Sequence, residues 1–472
     1  MKLNRRIKII ILIVSGILCA FSPLFFNNLR FTAKNLDINS NYNDKFGYDN
    51  LKISAVSGKI LIDNNWTDAL TAGICTGNGT NSAPYIIEDL IIDGKNTSNC
   101  ILIKNSAAYF RIKNCTAYNA GNAGIRLQSV MNGALINNNV SNNNNSGISV
   151  SGDNNLILGN TVDNNGNSGI YLGSYCYDNT ISGNTANNNG DNGIYLGDYC
   201  YNNTLSGNTA NNNGDSGILL DDCDDNTLLG NTANNNYWYG IEVMGGESND
   251  ISENTVYNND FHGLKLVFTD YNDISANIAN NNSQCGIDLV YCDDNTISGN
   301  TANYNLRGIC LEEALDNLIS GNIVNHNGGS GIFIKTANYN SFSGNNASYN
   351  SGNGITLEDS NNNQISENIA NSNKNDGIYL DASDNNTISG NNAKNNEFGI
   401  NLYYSDNNLI SANILVGNDE CIFQYGCTGN IFENNNCGGK PAILGYNIFF
   451  LFGILYVVTV ITIILSRKVK EF

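Results

Sequence analysis

From residue 121 to residue 420 one short pattern of apolar and polar positions returns at a nearly fixed interval. A glycine is followed by an apolar residue, a variable residue and a second apolar residue, as in Gly193-Ile194-Tyr195-Leu196. The glycine stands at 124, 147, 169, 193, 217, 240, 263, 286, 308, 331, 354, 377 and 399, with gaps of 22 to 24 residues. The first apolar residue is always Ile or Leu, and the second is Leu, Val or Ile. This period-two alternation predicts a short strand with one buried face. Two further strands are predicted in each interval: Thr180–Gly183 with Ile181 inward, and the "NTAN" of residues 184–187 with Ala186 inward. Leucine-rich repeats have a similar period, but they usually carry a helical segment, and nothing here has helical periodicity. The predicted fold class is therefore all-β: a parallel β-helix, or solenoid, of 22–24 residues per coil, flanked by N- and C-terminal transmembrane or signal helices. Its hand follows the right-handed preference of parallel crossovers. Thirteen clear coils, each rising about 4.8 Å, make a rod roughly 60–70 Å long.

The polar positions repeat as strictly as the apolar ones. Asn155, Asn179, Asn203, Asn226, Asn249, Asn272, Asn295, Asn317, Asn340, Asn363, Asn386 and Asn408 fill one position of successive coils. A second row runs from Asn160 to Asn413 and a third from Asn165 to Asn418. Asparagine tolerates left-handed turns and bonds its own backbone. Stacked in register, its amide can also donate to one neighbouring coil and accept from the other. The rows predict turn corners joined by amide ladders, a structural task.

The ends differ from the body. Residues 1–30 read as a signal peptide or signal anchor: "MKLNRRIK" precedes the apolar run Ile9–Phe26. Residues 31–120 read as an N-terminal cap with the first coils, 121–420 as the regular helix and 421–440 as a C-terminal cap. Residues 445–465 are 21 residues without a charge, long enough to cross a bilayer as a helix. The basic tail 466–472 follows. Basic flanks at both extremes place both termini in the cytoplasm, with the body outside the cell membrane.

Charge and chemistry change the picture little. The chain carries 23 basic and 43 acidic residues. Setting aside seven basic and one acidic residue of the two ends leaves 16 and 42, a net charge of −26, which excludes nucleic acid as a partner. Four cysteines, Cys176, Cys200, Cys223 and Cys292, stand three residues before an Asn of the first row, where other coils have Gly, Thr, Ala or Ser. Two readings stay open: a tight inward position where a thiol packs, or disulfides between neighbouring coils. Cys421, Cys427 and Cys437 suggest a cap disulfide with one spare. His262 and His326, the two histidines, lie about three coils apart at different coil positions, so no metal site is assigned.

The variable position of the first strand supplies the candidate site. It reads Tyr171, Tyr195, Leu219, Glu242, Lys265, Asp288, Cys310, Phe333, Thr356, Tyr379, Asn401. Glu242, Lys265 and Asp288 are predicted to stack on adjacent coils, as are Glu312, Lys335, Glu358 and Asp381 two residues further on. Carboxylates beside a lysine can bind calcium or do acid–base work on a sugar. A surface ladder of alternating charge is the structural alternative. No catalytic set is assigned: Glu242, Lys265, Asp288, Glu312 and Lys335 are candidates only. No cofactor is assigned either, calcium being the ion these groups suit. Tyr171, Tyr195, Tyr379 and Tyr403 are the predicted exposed platform for a sugar.

The repeated "NTISGNTANNNGDNGIYL" of 179–196 resembles the right-handed β-helix repeats of the NosD-like group. "GNGTNSAPYIIEDLIIDG" (77–94) and "ILIKNSAAYFRIKNCTAYN" (101–119) resemble the entry to such a domain. The resemblance covers roughly residues 51–440. It implies membership in a wider class of carbohydrate-binding proteins and sugar hydrolases, which includes pectate lyases, polygalacturonases, epimerases and a copper-loading accessory factor. Lyases of this class use calcium-binding Asp with an Arg or Lys base, and no position here matches such a motif. Enzymes of the class wall a cleft with long loops, whereas the coil length here never departs from 22–24 residues. The resulting expectation is a membrane-anchored surface rod that binds glycans or other surface proteins without catalysis. The alternatives are a lyase or hydrolase of acidic polysaccharide, and an accessory factor for a transporter or metalloenzyme.

Overall fold

The structure, a computed structural model, describes residues 55–439. The expected signal or anchor run, the membrane helix and the basic tail lie outside the described residues. Among the described residues no helix is long and apolar enough to cross a membrane.

The period-two phrases build the first of three parallel faces. Sixteen strands stack in chain order, from Ile60–Asp63 through Ile194–Leu196 to Glu420–Tyr425. Each pairs in register with its equivalent in the next coil, as Ile170, Tyr171 and Leu172 pair with Ile194, Tyr195 and Leu196. A second sheet of sixteen strands runs from Tyr85–Glu88 to Ile431–Glu433. The third face differs from expectation. It holds true strands only at Ala55–Ser57, Leu90–Thr97 and Thr116–Ala120, and again at Thr255–Tyr257 and Ile278–Asn280. Elsewhere one residue per coil, such as Thr161, Thr185 or Thr209, makes a single bridge to its neighbour. The "NTAN" segment is too short between two Asn corners to pair more. Coiling also continues through the segment read as a C-terminal cap, for Glu420–Tyr425 and Ile431–Glu433 form a sixteenth coil. Sixteen coils at about 4.8 Å per step make a rod on the order of 70–75 Å long.

The interior is a stack of identical layers. Ile194, Leu196, Ile181 and Ala186 are fully buried, as are their equivalents above and below. The N-terminal end is closed by a short helix, Trp66–Thr71. Its Trp66 is buried, stacks on Tyr85 at 4.6 Å and donates from Nε1 to Ser106 Oγ at 2.8 Å.

The asparagine rows are the polar part of the core. Asn179 donates from its backbone N–H (2.9 Å) and from Nδ2 (3.0 Å) to Asn203 Oδ1 of the next coil, and from Nδ2 to Gly152 O of the previous one. Asn203, Asn226, Asn295 and Asn386 repeat the backbone bond to the coil above. These side chains are buried, so the turn itself falls elsewhere. The left-handed residue is the one before each ladder Asn: Asp178, Asn202, Asp225, Asp294 and Asn385 all have φ between +54° and +58°. The corner residue turns the chain outside, and the ladder residue joins the coils inside.

The cysteine row is a fourth such corner. Tyr175, Tyr199, Asp222 and Tyr291 are left-handed, and Cys176, Cys200, Cys223 and Cys292 follow them as free, buried thiols. Of the two readings left open, inward packing is the one found. Where serine stands in this row it mimics the Asn ladder: the N–H of Ser360 donates to Ser383 Oγ, and that of Ser383 to Ser405 Oγ, both at 3.0 Å. A thiol does the same when Gly152 N–H donates to Cys176 Sγ at 3.4 Å. Near the C-terminal end, Cys421 bonds Cys437 and leaves Cys427 free.

Candidate functional site

The outward side of the first sheet is recessed. Two recesses open there, each lined by residues that precede strand glycines and by mid-strand residues of the same and neighbouring coils. The predicted exposed tyrosines are therefore corrected. Tyr171, Tyr195 and Tyr379 are half-buried, and only Tyr403 is exposed. Tyr171 and Tyr195 lean on each other at 5.3 Å in a recess of about 390 Å³ that also holds Arg126, Ser149 and Asp191. The Tyr195 hydroxyl donates to Asp221 at 3.2 Å. Exposed rings stand on the corners instead, among them Tyr175, Tyr199, Tyr304 and Tyr349.

The carboxylate–lysine stack forms as its spacing predicts. Glu242 pairs in register with Lys265, and Lys265 with Asp288. The setting is more buried than a surface ladder. Asp288 is only 6% exposed; it takes an ion pair from Lys265 Nζ on Oδ2, and His262 Nε2 lies 3.5 Å from the same oxygen. His262 Nδ1 accepts the backbone N–H of Cys285 at 3.2 Å, which fixes its tautomer. Burial holds the His262 imidazole below its ordinary pKa, with Asp288 opposing and Lys265 reinforcing the shift. Glu242 Oε2 accepts from Ser216 Oγ at 3.0 Å, yet burial pushes its carboxyl up to about 7. A recess of about 250 Å³ opens here, lined by His262, Lys265, Asp288, Arg307, Glu312 and Phe333 among others. Glu312 and Lys335 pair in register and are both exposed; Glu312 lines the recess and Lys335 does not.

Four residues beside this recess were not singled out from the sequence: Trp238, Tyr239, Phe261 and Cys285. Trp238, 40% exposed, stacks on Phe261 of the next coil at 4.6 Å. Tyr239 touches Trp238 on one side and His262 on the other, at 5.9 and 5.6 Å, and so carries the aromatic plate to the edge of the charged cluster. Cys285 is bonded to Cys310, with Cα atoms 6.2 Å apart. A diagonal rule underlies the Cys285–Cys310 contact. The residue before the strand glycine meets the mid-strand residue of the following coil, 25 or 26 positions on: Ser216 with Glu242, His262 with Asp288, Cys285 with Cys310, Arg307 with Phe333, Ser330 with Thr356 and Asp376 with Asn401. Each pair is chemically matched, and that offset is the signal that would have exposed Cys285; Trp238 and Phe261 meet at the ordinary coil spacing of 23 residues.

His262, Cys285 and Asp288 bring three donor atoms within 4.8 Å of one another. The two-histidine reading overlooked this because the partners of His262 are a sulfur and a carboxylate. In the disulfide the sulfur is not a thiolate. Lys265 already occupies one oxygen of Asp288.

The family described as "right handed beta helix region" matches residues 99–261, 217–314 and 305–437. No curated protein sequence matches the chain. Three solved structures show likeness of fold only. The periplasmic alginate epimerase AlgG is 14% identical over 83% of this chain and 84% of that one, with a TM-score of 0.37. The A-module of Azotobacter vinelandii mannuronan C-5 epimerase AlgE6 is 13% identical over 71% and 91%, at 0.36. The Dettilon tailspike protein is 15% identical over 74% and 61%, at 0.38. With sixteen parallel coils and a family match that spans most of them, the chain belongs to the right-handed β-helix family.

Proposed function

We propose that the protein is a glycan-binding rod, held at the cell membrane through the apolar runs 9–26 and 445–465 with its body outside. The observation that carries the reading is the Trp238–Phe261 plate, joined through Tyr239 to the recess of His262, Lys265 and Asp288. A sugar ring has an apolar face and a polar rim. A site for it needs a flat aromatic surface beside a few placed donors and acceptors, and both are present on neighbouring coils. Other surface proteins are the alternative partners.

A second reading has its own support. Glu242, held near neutrality, is able to give up a proton at physiological pH, and Lys265 and His262 stand together on the next coil. That combination suits a lyase or hydrolase of acidic polysaccharide. One experiment separates the two. The full chain is incubated with acidic and neutral polysaccharides, with and without calcium, and both retention and new reducing or unsaturated ends are measured. Retention on one polymer without cleavage, weakened at least ~10-fold by Trp238→Ala, supports the binding rod. Cleavage that disappears in Glu242→Gln replaces it with the enzyme. Neither retention nor cleavage overturns both.

A further inference from the structure

We propose that, when the Cys285–Cys310 disulfide is reduced, this corner of the groove is a metal site for a zinc-class divalent ion, with Cys285, Cys310 and His262 as ligands and Asp288 as the carboxylate that orients the imidazole. The disulfide is then the oxidised, metal-free state of the same site. The inference does not depend on the glycan reading.

Placement is the first argument. Ten of the twelve described cysteines belong to the interior core cluster. Cys285 and Cys310 form a separate cluster with Phe333 on the outer side of the first sheet, in the wall of the recess. Coordination geometry is the second. The donor atoms of His262, Cys285 and Asp288 already lie within 4.8 Å of one another, and Cys310 Sγ is bonded to Cys285 Sγ. Two sulfurs and one imidazole nitrogen are donor types of a tetrahedral zinc site whose fourth position takes water. Preparation of the ligands is the third. His262 Nδ1 is unprotonated and faces residue 285, and its Nε2–H is directed at Asp288. Lys265 and His262 both address Oδ2 of Asp288, so the carboxylate orients the imidazole from the nitrogen opposite the ion. Metal binding at Nδ1 gives up the bond from the Cys285 N–H, one neutral hydrogen bond exchanged for a coordinate bond.

The chemistry balances with a thiol reductant. Two external thiols reduce the disulfide, become one disulfide themselves and leave Cys285 and Cys310 each with a proton. Binding of the divalent ion releases those two protons, because the thiolate is the ligand. The reverse exchange, with the external disulfide as oxidant, forms the sulfur–sulfur bond again, returns two electrons and two protons to the external thiols and expels the ion.

Cobalt(II) serves as the probe. The full chain is reduced with a phosphine, freed of reductant without oxygen, and titrated with cobalt. The expected result is a thiolate-to-cobalt charge-transfer absorption that saturates at one ion per chain and is absent from the oxidised protein. His262→Ala should weaken the affinity at least ~10-fold, as loss of one ligand does. The other thiols supply the control: the absorption must vanish in Cys285→Ser/Cys310→Ser, with circular dichroism unchanged. Should that variant fail to fold, the wild-type chain decides by alkylation mapped to each cysteine, with zinc expected to protect 285 and 310. No absorption on reduction, full absorption in the double variant, or no protection of these two cysteines overturns the proposal.

Discussion

Asn203 shows what a single ladder residue does. Its Oδ1 accepts both the backbone N–H and the Nδ2 of Asn179, while its own Nδ2 donates to Cys176 O, Tyr201 O and Asn226 Oδ1. No water reaches this position, which is 1% exposed. Asn203→Ala leaves the N–H of Asn179 and the carbonyl of Cys176 without these partners, and each buried orphan costs about 1–3 kcal/mol. The expected loss in a urea titration is about 3–5 kcal/mol. Asn202, one residue earlier, is exposed with φ of +58°, so Asn202→Gly should change stability by less than about 1 kcal/mol. Equal effects of the two substitutions would refute the division between corner and ladder. Glu242 makes a pH prediction. Its folded pKa, about 7, lies above its ordinary 4.5, so the fold is favoured while the carboxyl is protonated. Its contribution is complete below pH 4.5 and is lost as pH rises through 7, on the order of 3 kcal/mol over that window. Asp376, pushed up to about 6 by burial, adds a change of the same sign. Stability measured at pH 5 and pH 8 should fall less in Glu242→Gln than in the wild type. At this scale the rows were legible, because a 22–24-residue period aligns equivalent positions by eye. The diagonal pairs were not, because Cys285 and Cys310 occupy different columns of that alignment and meet only through the offset between a turn and the next strand.

In thirteen of the sixteen coils a glycine introduces the inward residues of the first strand, for a reason of space. A Cβ on Gly193 would stand 2.6 Å from Gly217 O and 2.7 Å from both Ala210 Cβ and Asn213 Nδ2. Backbone and ladder press on it from the next coil, so neither can yield. Gly193→Ala should cost about 2–3 kcal/mol by overpacking. Gly183 is a different case. Its φ is +61° and nothing lies within 4 Å of its Cβ position. Gly183→Ala should cost only about 1 kcal/mol, the strain of a left-handed residue. Thermal melts of the two variants rank them, and a larger loss at 183 would reverse the assignment. The elements themselves were largely legible. The "GI-x-L" phrase has enough apolar positions to declare a strand, and the second strand follows from Ile181 and its equivalents. The third face was overread because "NTAN" contains one inward residue, Ala186, between two ladder asparagines, and one inward residue supports a bridge rather than a strand. The tyrosines were misplaced for a related reason: alternation assigns Tyr195 to the outward side, but only the neighbouring turn, with Asp191 and Asn192, makes that side a recess.

Coils that touch only their neighbours make stability approximately a sum of coil and interface contributions. The chain is unusually suited to test this, because its units are nearly interchangeable. Deleting Thr180–Asn203 removes one complete coil of 24 residues and joins Asn179 to Thr204, the residue that already follows Asn203. Every surviving strand finds an equivalent partner: Ile170 and Leu172 then pair with Ile218 and Leu220, and Cys176 stacks beneath Cys223. All three asparagine ladders continue without a gap. The shortened chain should unfold cooperatively, with a melting temperature lower by only a few degrees. Deleting Thr180–Asp191 instead removes half that length. It discards the second-sheet strand Thr180–Ser182 and the Thr185 bridge while keeping the first-sheet strand Ile194–Leu196. The ladders at Asn184 and Asn189 are then interrupted, and the buried amides on either side lose their partners. That chain should show no cooperative transition. The contrast is informative because the larger deletion is the milder one, an order that follows only if register, rather than the amount of chain, holds the rod together. Loss of the fold on removing the whole coil would mean that stability depends on contacts beyond nearest neighbours, and that the repeats are less equivalent than their pairing implies.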